Sequence, residues 1–264
     1  MTTSQMSTTT DTTHAVLSQD GAKISYLSMG SGPSVLVLPG ALSMAADYAA
    51  FASALAEHFT VHIIERRGRG LSSPQGDDYS ILKEREDVLA LQQGVARNNP
   101  LLTKIAVYEP GVSIDGSIPM HWMPGYEKKL AEKNYLDAFV EFSLAVGPER
   151  ARNTSPWLMK LLLPLFLNSH ERKLMLGLLP ENLREHQEVA RLDSSYENYR
   201  EIPADVLLMY GGKSNVTWVD MSMERLAAVL PRSETKEFPK LDHFGIDKRA
   251  PREVAKAVSV YFLK

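Results

Sequence analysis

The sequence holds seven histidines and no cysteine. Acid–base or nucleophilic chemistry must therefore come from histidine, serine, carboxylates and backbone N–H groups, while disulfides and thiolate catalysis are excluded. There is no H-E-x-x-H pair and no thiolate cluster, so neither a metal nor a cofactor is expected. His243, in Leu241-Asp242-His243-Phe244, differs from the other histidines because it follows a short strand-like segment, Thr235 to Phe238. The others fall in the N-terminal tail, in helical patterns, in a strand or in a helical insertion. A second chemical feature is backbone. Val35 to Leu38 is a run of branched apolar residues that stops at Pro39-Gly40. Proline cannot donate to a sheet ladder and glycine permits a sharp turn. The residues beyond, Ala41 and Leu42, are thus expected to offer an N–H to an anionic oxygen. Arg66-Arg67-Gly68-Arg69-Gly70 has some likeness to a phosphate loop but lacks a following Gly-Lys-Ser/Thr, and is read as a structural turn.

These groups need strands to hold them. Val35 to Leu38 is apolar on both faces, as a strand inside a parallel sheet must be; Lys104 to Tyr108 and Ala204 to Tyr210 follow the same buried-strand pattern, and Thr60 to Glu65 reads as a further strand. His14 to Met29 reads as a hairpin turning at Asp20-Gly21. Helical spacing covers Ala45 to His58, Tyr79 to Asn98, Trp218 to Leu230 and Pro251 to Phe262. Within the second of these, Lys83-Glu84-Arg85-Glu86-Asp87 is expected to form a solvated face. Glu109 to Ile202 contains helical patterns and no strand. The expectation is an α/β doubly wound, mostly parallel sheet, with a core of residues 14–110 and 201–264 and a helical cap over 111–200. Ligands of such sheets bind beyond the carboxyl ends of the strands.

Composition limits the partners. Of the 264 residues 44% are hydrophobic and 23% charged, and the net charge is −3. Nothing here favours nucleic acid or an anionic membrane surface. The Ser/Thr-rich Met1 to Thr13 has neither the apolar core of a secretory signal nor the arginines of a transit peptide, and is read as a disordered tail. The longest apolar patch, Trp157 to Leu167, is broken by Lys160 and Pro164 and falls short of a bilayer span of about 20 residues. A soluble, cytoplasmic protein whose partner is a small apolar molecule is expected. The cap's Trp157 and Leu161 to Leu167 are candidates for core packing or for lining a ligand pocket.

Taken in order, VLVLPGA, VHIIERRGRGLSSP, KIAVYEPGVSIDGSIP and DVLLMYGG with LDHFG resemble the α/β-hydrolase superfamily from Val16 to Lys264. Pro39 stands where many members have histidine, and Glu65 where aspartate is usual. The resemblance implies a serine hydrolase of small esters or lactones, with the Ala41 N–H holding the oxyanion and His243 as base. It gives the acid to Asp115, with Asp220 as the other candidate, because the loop after Ala204 to Tyr210 carries no carboxylate before Asp220. The nucleophile of this family sits in G-x-S-x-G. That pattern occurs nowhere in the chain: Gly70-Leu71-Ser72, Gly111-Val112-Ser113 and Gly212-Lys213-Ser214 all lack the closing glycine.

Spacing offers a reason. The resemblance implies a strand, the elbow and a helix between the Tyr79 helix and Lys104, which at about 5 and about 11 residues plus the turn need roughly 16–20 residues. Between Gln93 and Lys104 stand only the ten residues GVARNNPLLT. The elbow segment reads as excised, which makes the chain inactive or nearly so as a serine hydrolase, or else a binding protein working through its cap. Ser113 is a weak replacement nucleophile. With one strand removed, Lys104 to Tyr108 is expected to pair directly with Val35 to Leu38, since an open gap would leave buried backbone groups unbonded at about 1–3 kcal/mol each.

Overall fold

A computed structural model describes residues 12–95, 102–147, 149–166 and 168–264. Strand β1 (Thr12–Leu17) and strand β2 (Lys23–Gly30) form the expected hairpin, with Gly21 in the left-handed conformation its turn requires. The first strand thus starts two residues inside the stretch read as a tail; residues 1–11 lie outside the described ones. Strand β3 (Ser34–Val37) is followed by a short 3-10 turn, Ala45–Tyr48, and helix α1 (Ala49–Leu55). Strand β4 (Thr60–Ile64), helix α2 (Ile81–Val95) and strand β5 (Lys104–Tyr108) complete the first half of the core. The cap is wholly helical among the described residues: α3 (Met123–Ala131), α4 (Tyr135–Val146), α5 (Glu149–Arg152), α6 (Pro156–Phe166), α7 (Ser169–Gly177) and α8 (Leu179–Arg191). Strand β6 (Asp205–Gly211), helix α9 (Thr217–Val229), strand β7 (Ser233–Phe238) and helix α10 (Pro251–Leu263) close the chain.

The strands do not make one sheet. They form a four-stranded sheet in the order β1-β2-β4-β3 and a three-stranded parallel sheet in the order β5-β6-β7. Among the described residues β3 pairs with β4 alone, from Ser34 opposite Thr60 to Val37 opposite Ile63. Among them β5 likewise pairs with β6 alone, from Lys104 opposite Asp205 to Tyr108 opposite Met209. The expected direct pairing of β3 with β5 is therefore wrong. The reason lies in what surrounds the two edges: a cleft of about 1650 Å³ separates them, lined by Ser34 to Leu38 on one side and Lys104 to Tyr108 on the other. The edge groups face this open space rather than a sealed interior, which removes the penalty that direct pairing was expected to avoid. Residues of β5 are accordingly only half-buried, whereas those of β6 are almost all buried.

One apolar cluster joins the two halves. Val37, Val61 and Ile63 from the first sheet and Leu207, Met209 and Phe238 from the second meet Phe51 and Leu55 of α1 and Val254, Val258 and Tyr261 of α10. On the opposite face Leu91 of α2 packs with Ile24 and Ile64, flanked by Val16, Tyr26 and Leu36, all from the first sheet. There the charged run departs from expectation. Glu84 and Asp87 are buried on the same stripe as Leu91, at helical spacing i, i+3, i+7, while Arg85 is exposed. Each meets an arginine of the Arg66–Gly70 turn, so the acids point inward to partners. The cap's apolar helix α6 also divides: Leu163 is buried, but Trp157, Leu161 and Leu165 face outward. No helix among the described residues is long and apolar enough to cross a membrane.

Candidate functional site

The carboxyl ends of β3, β5 and β7 converge on the cleft, which Gly40, Ala41, Glu109 and His243 all line. After β3 the chain turns at Leu42, whose φ of 57° is left-handed for a branched residue. The Gly40 N–H donates to the Tyr48 hydroxyl at 3.2 Å. Burial raises the Tyr48 pKa, so its oxygen stays a neutral acceptor. The neighbouring Ala41 N–H has no hydrogen-bond partner among the described residues and remains available in the cleft.

The turn after β4 supports this loop. Arg66 donates to the Pro39 carbonyl at 3.4 Å, to both Glu84 oxygens at 2.6 and 2.8 Å and to Glu185 of α8 at 3.1 Å. Burial opposes its charge, yet Glu185 and Glu84 carry its pKa above the ordinary value. Arg69 also reaches Glu185, at 2.8 Å. Arg67 clamps Asp87 through two bonds of 2.7 and 2.6 Å and reaches Asp20 at 3.0 Å. Such fork-shaped pairing suits arginine. The arginines are thus a structural core of the turn, tying core to cap. Gly70 is required here: its φ is +54°, and a Cβ would fall 2.1 Å from the Glu65 carboxyl, which bonds Ser25 at 2.5 Å and the Leu71 N–H at 2.8 Å.

On the other side of the cleft, His243 Nδ1 lies 2.7 Å from Glu109 Oε2. Glu109 is the residue after β5, in the left-handed region at φ 44°, and its side chain is fully buried. Its second oxygen accepts from the Gly211 N–H at 2.8 Å and the Ser214 hydroxyl at 2.5 Å. A carboxylate so satisfied holds the imidazole with Nδ1 protonated. The proton position is inferred from this partner. Nε2 then points away from Glu109 and has no partner among the described residues. The ring meets Trp218 edge-on at 5.9 Å and Phe244 at 5.6 Å. Tyr108 secures the loop by donating to the Asp242 carbonyl at 2.7 Å. Beyond it, a π-helical turn over Gly245–Arg249 brings Asp247 into the cleft wall, where burial raises its pKa.

Of the expected residues His243 and Ala41 both line the cleft, and Asp115 does not. Asp115 lies at the cap, where its N–H and carboxylate both bond the Ser194 hydroxyl, at 2.8 and 3.2 Å. Asp220 is exposed in the first turn of α9. The carboxylate beside the histidine is Glu109, six residues before Asp115. Its position at the tip of a parallel strand was the available signal. Ser113 is buried and donates to Asp193 at 2.5 Å, a bond that holds the Asp193 pKa below the usual carboxylate range. Neither Ser113 nor Asp115 lines the cleft.

The model of the alpha/beta hydrolase family matches residues 35–257. The chain belongs to that family. An alpha/beta hydrolase from Sphaerobacter thermophilus DSM 20745 is 26% identical, with a TM-score of 0.76 over 94% of this chain and 100% of its own. The Cif epoxide hydrolase from Acinetobacter nosocomialis is 15% identical, with a TM-score of 0.69 over 95% of this chain and 88% of that one. The enol-lactonase from Burkholderia xenovorans LB400 is 16% identical, with a TM-score of 0.67 over 95% and 100%. The last two likenesses bear on the fold alone. The α/β-hydrolase fold expected from the sequence is thereby established for this chain, with its sheet in two parts.

Proposed function

We propose that this α/β-hydrolase chain keeps the base, the acid and the oxyanion N–H of a hydrolase of small apolar esters and lactones but has no serine nucleophile. His243 is the base, Glu109 orients it, and the Ala41 N–H receives the developing oxyanion. The observation that carries the reading is the Glu109–His243 pair, buried at its acid end and open at its base end, in a cleft that also holds Ala41. The separated edges of β3 and β5 support the loss of a strand-and-elbow segment after Gln93. The binding of Ser113 to Asp193 argues against its replacing the missing serine.

Loss of the serine from a triad lowers kcat by about 10⁶. The test is a fluorophosphonate label with p-nitrophenyl esters as substrates. No stoichiometric labelling is expected; labelling abolished by Ser113→Ala overturns the reading. Sequencing the coding DNA across Gln93–Gly94 tests the excision itself. A second reading, a binding protein for a small apolar ligand, is favoured by the cap's Phe139, Phe142, Val146 and Leu163 lining the same cleft. Ligand binding without turnover would raise the melting temperature by mass action. An apolar ester, lactone or acid series that gives no shift removes this reading.

A further inference from the structure

We propose that the Glu109–His243 pair activates water directly, making the chain a slow, serine-independent hydrolase of activated carboxylic esters. This rests on the assignment of base and oxyanion donor above and departs from it in needing no covalent intermediate. In a serine-dependent site the base is occupied by a hydroxyl. Here His243 Nε2 has no side-chain partner among the described residues, while Nδ1 is held by a fully buried carboxylate. The pair is therefore oriented but unengaged, on the wall of a cleft wide enough for an acyl group and water together. The hydrogen-bond donor to the oxyanion is supplied independently by the first half-sheet, through the Ala41 N–H.

In the step, Nε2 takes a proton from water as the water oxygen bonds to the ester carbonyl carbon. The carbonyl electron pair moves to oxygen, which accepts the Ala41 N–H. Collapse breaks the bond to the leaving oxygen, which departs with the proton from Nε2. One ester and one water become one acid and one alcohol, with no other reactant. The apolar lining from Phe139, Phe142 and Trp218 favours an apolar acyl chain.

The experiment follows p-nitrophenyl butyrate hydrolysis by the full chain, with binding of its amide isostere, N-(4-nitrophenyl)butanamide, measured in parallel. Positioned acid–base catalysis contributes about 10²–10⁴-fold. Turnover is expected without a burst, unchanged by Ser113→Ala, and at least about 10²-fold slower in His243→Gln, which still binds the amide. If the amide binds but His243→Gln hydrolyses the ester at the original rate, or if a stoichiometric burst appears, water activation is refuted while the cleft assignment stands. If the amide binds neither protein, the cleft assignment itself fails.

Discussion

Replacing Glu109 by alanine should destabilise the protein far more than replacing it by glutamine, and the difference can be worked from three bonds. The carboxylate accepts from the Gly211 N–H at 2.8 Å, the Ser214 hydroxyl at 2.5 Å and His243 Nδ1 at 2.7 Å. Gly211 and Ser214 are both buried, so alanine leaves two donors without water or a partner. At about 1–3 kcal/mol for each unsatisfied group, the loss is roughly 4 kcal/mol. With a urea m-value of about 3 kcal/mol/M, appropriate to a chain of this size, the midpoint should fall by roughly 1 M. Glutamine keeps an oxygen for Gly211 and Ser214, and its midpoint should move by less than half as much. Its NH₂ group, however, faces Nδ1 and forces that nitrogen to accept, shifting the imidazole proton to Nε2. The tautomer change can be read from the ¹⁵N shifts of the His243 ring. An alanine variant with an unchanged midpoint, or a glutamine variant as unstable as alanine, would refute Glu109 as the group that joins the ends of β5, β6 and β7.

Three further outcomes are expected. Asp87→Asn strips a buried Arg67 of its bidentate partner, and breaking a buried pair costs about 3–5 kcal/mol, offset in part by the remaining bond to Asp20; chemical denaturation measures it. Burial raises the Asp247 pKa in the folded protein, so its contribution to stability is complete below the ordinary aspartate pKa and is lost as pH rises through the folded value. Asp247→Asn should therefore raise the melting temperature at neutral pH and leave it unchanged under acid conditions, and the reverse order would refute the assignment. Gly70→Ala meets the Glu65 carboxyl at a left-handed φ and should cost at least the 1–2 kcal/mol of that conformation, seen as a lower thermal midpoint.

The strands were legible because their signal is local. Lys104–Tyr108 and Thr60–Ile64 are short segments rich in branched apolar residues, and their bounds in the structure match within a residue. The wholly helical stretch after β5 was legible for the same reason. Residues whose setting depends on distant partners were not. Glu84 and Asp87 look like a solvated run until Arg66 and Arg67, from another element, are placed beneath them. Glu109 looks like a loop residue until Gly211, Ser214 and His243 arrive from more than a hundred positions away. Asp115 was preferred by its place in a family pattern, yet backbone position alone, at the tip of β5, distinguished Glu109. The failure of β3 to meet β5 was hidden because edge pairing depends on how far the flanking helices hold two sheets apart.

That separation has a consequence for how the site is held in shape. Among the described residues, the apolar cluster that spans both half-sheets lies on one face, where α1 and α10 pack across both. On the other face Leu91 of α2 serves the first half and Val219 and Met223 of α9 serve the second, with no shared cluster. The molecule thus has a spine along one side and a seam along the other. Ala41 rides on one leaf, and Glu109 with His243 rides on the other. Each leaf fixes its own groups to the tolerance of a packed core, but the distance between oxyanion donor and base varies with the angle between the leaves. A ligand bridging Ala41 and His243 would act as a clasp across the seam. Amide exchange along the facing edges of β3 and β5 should slow when one is bound.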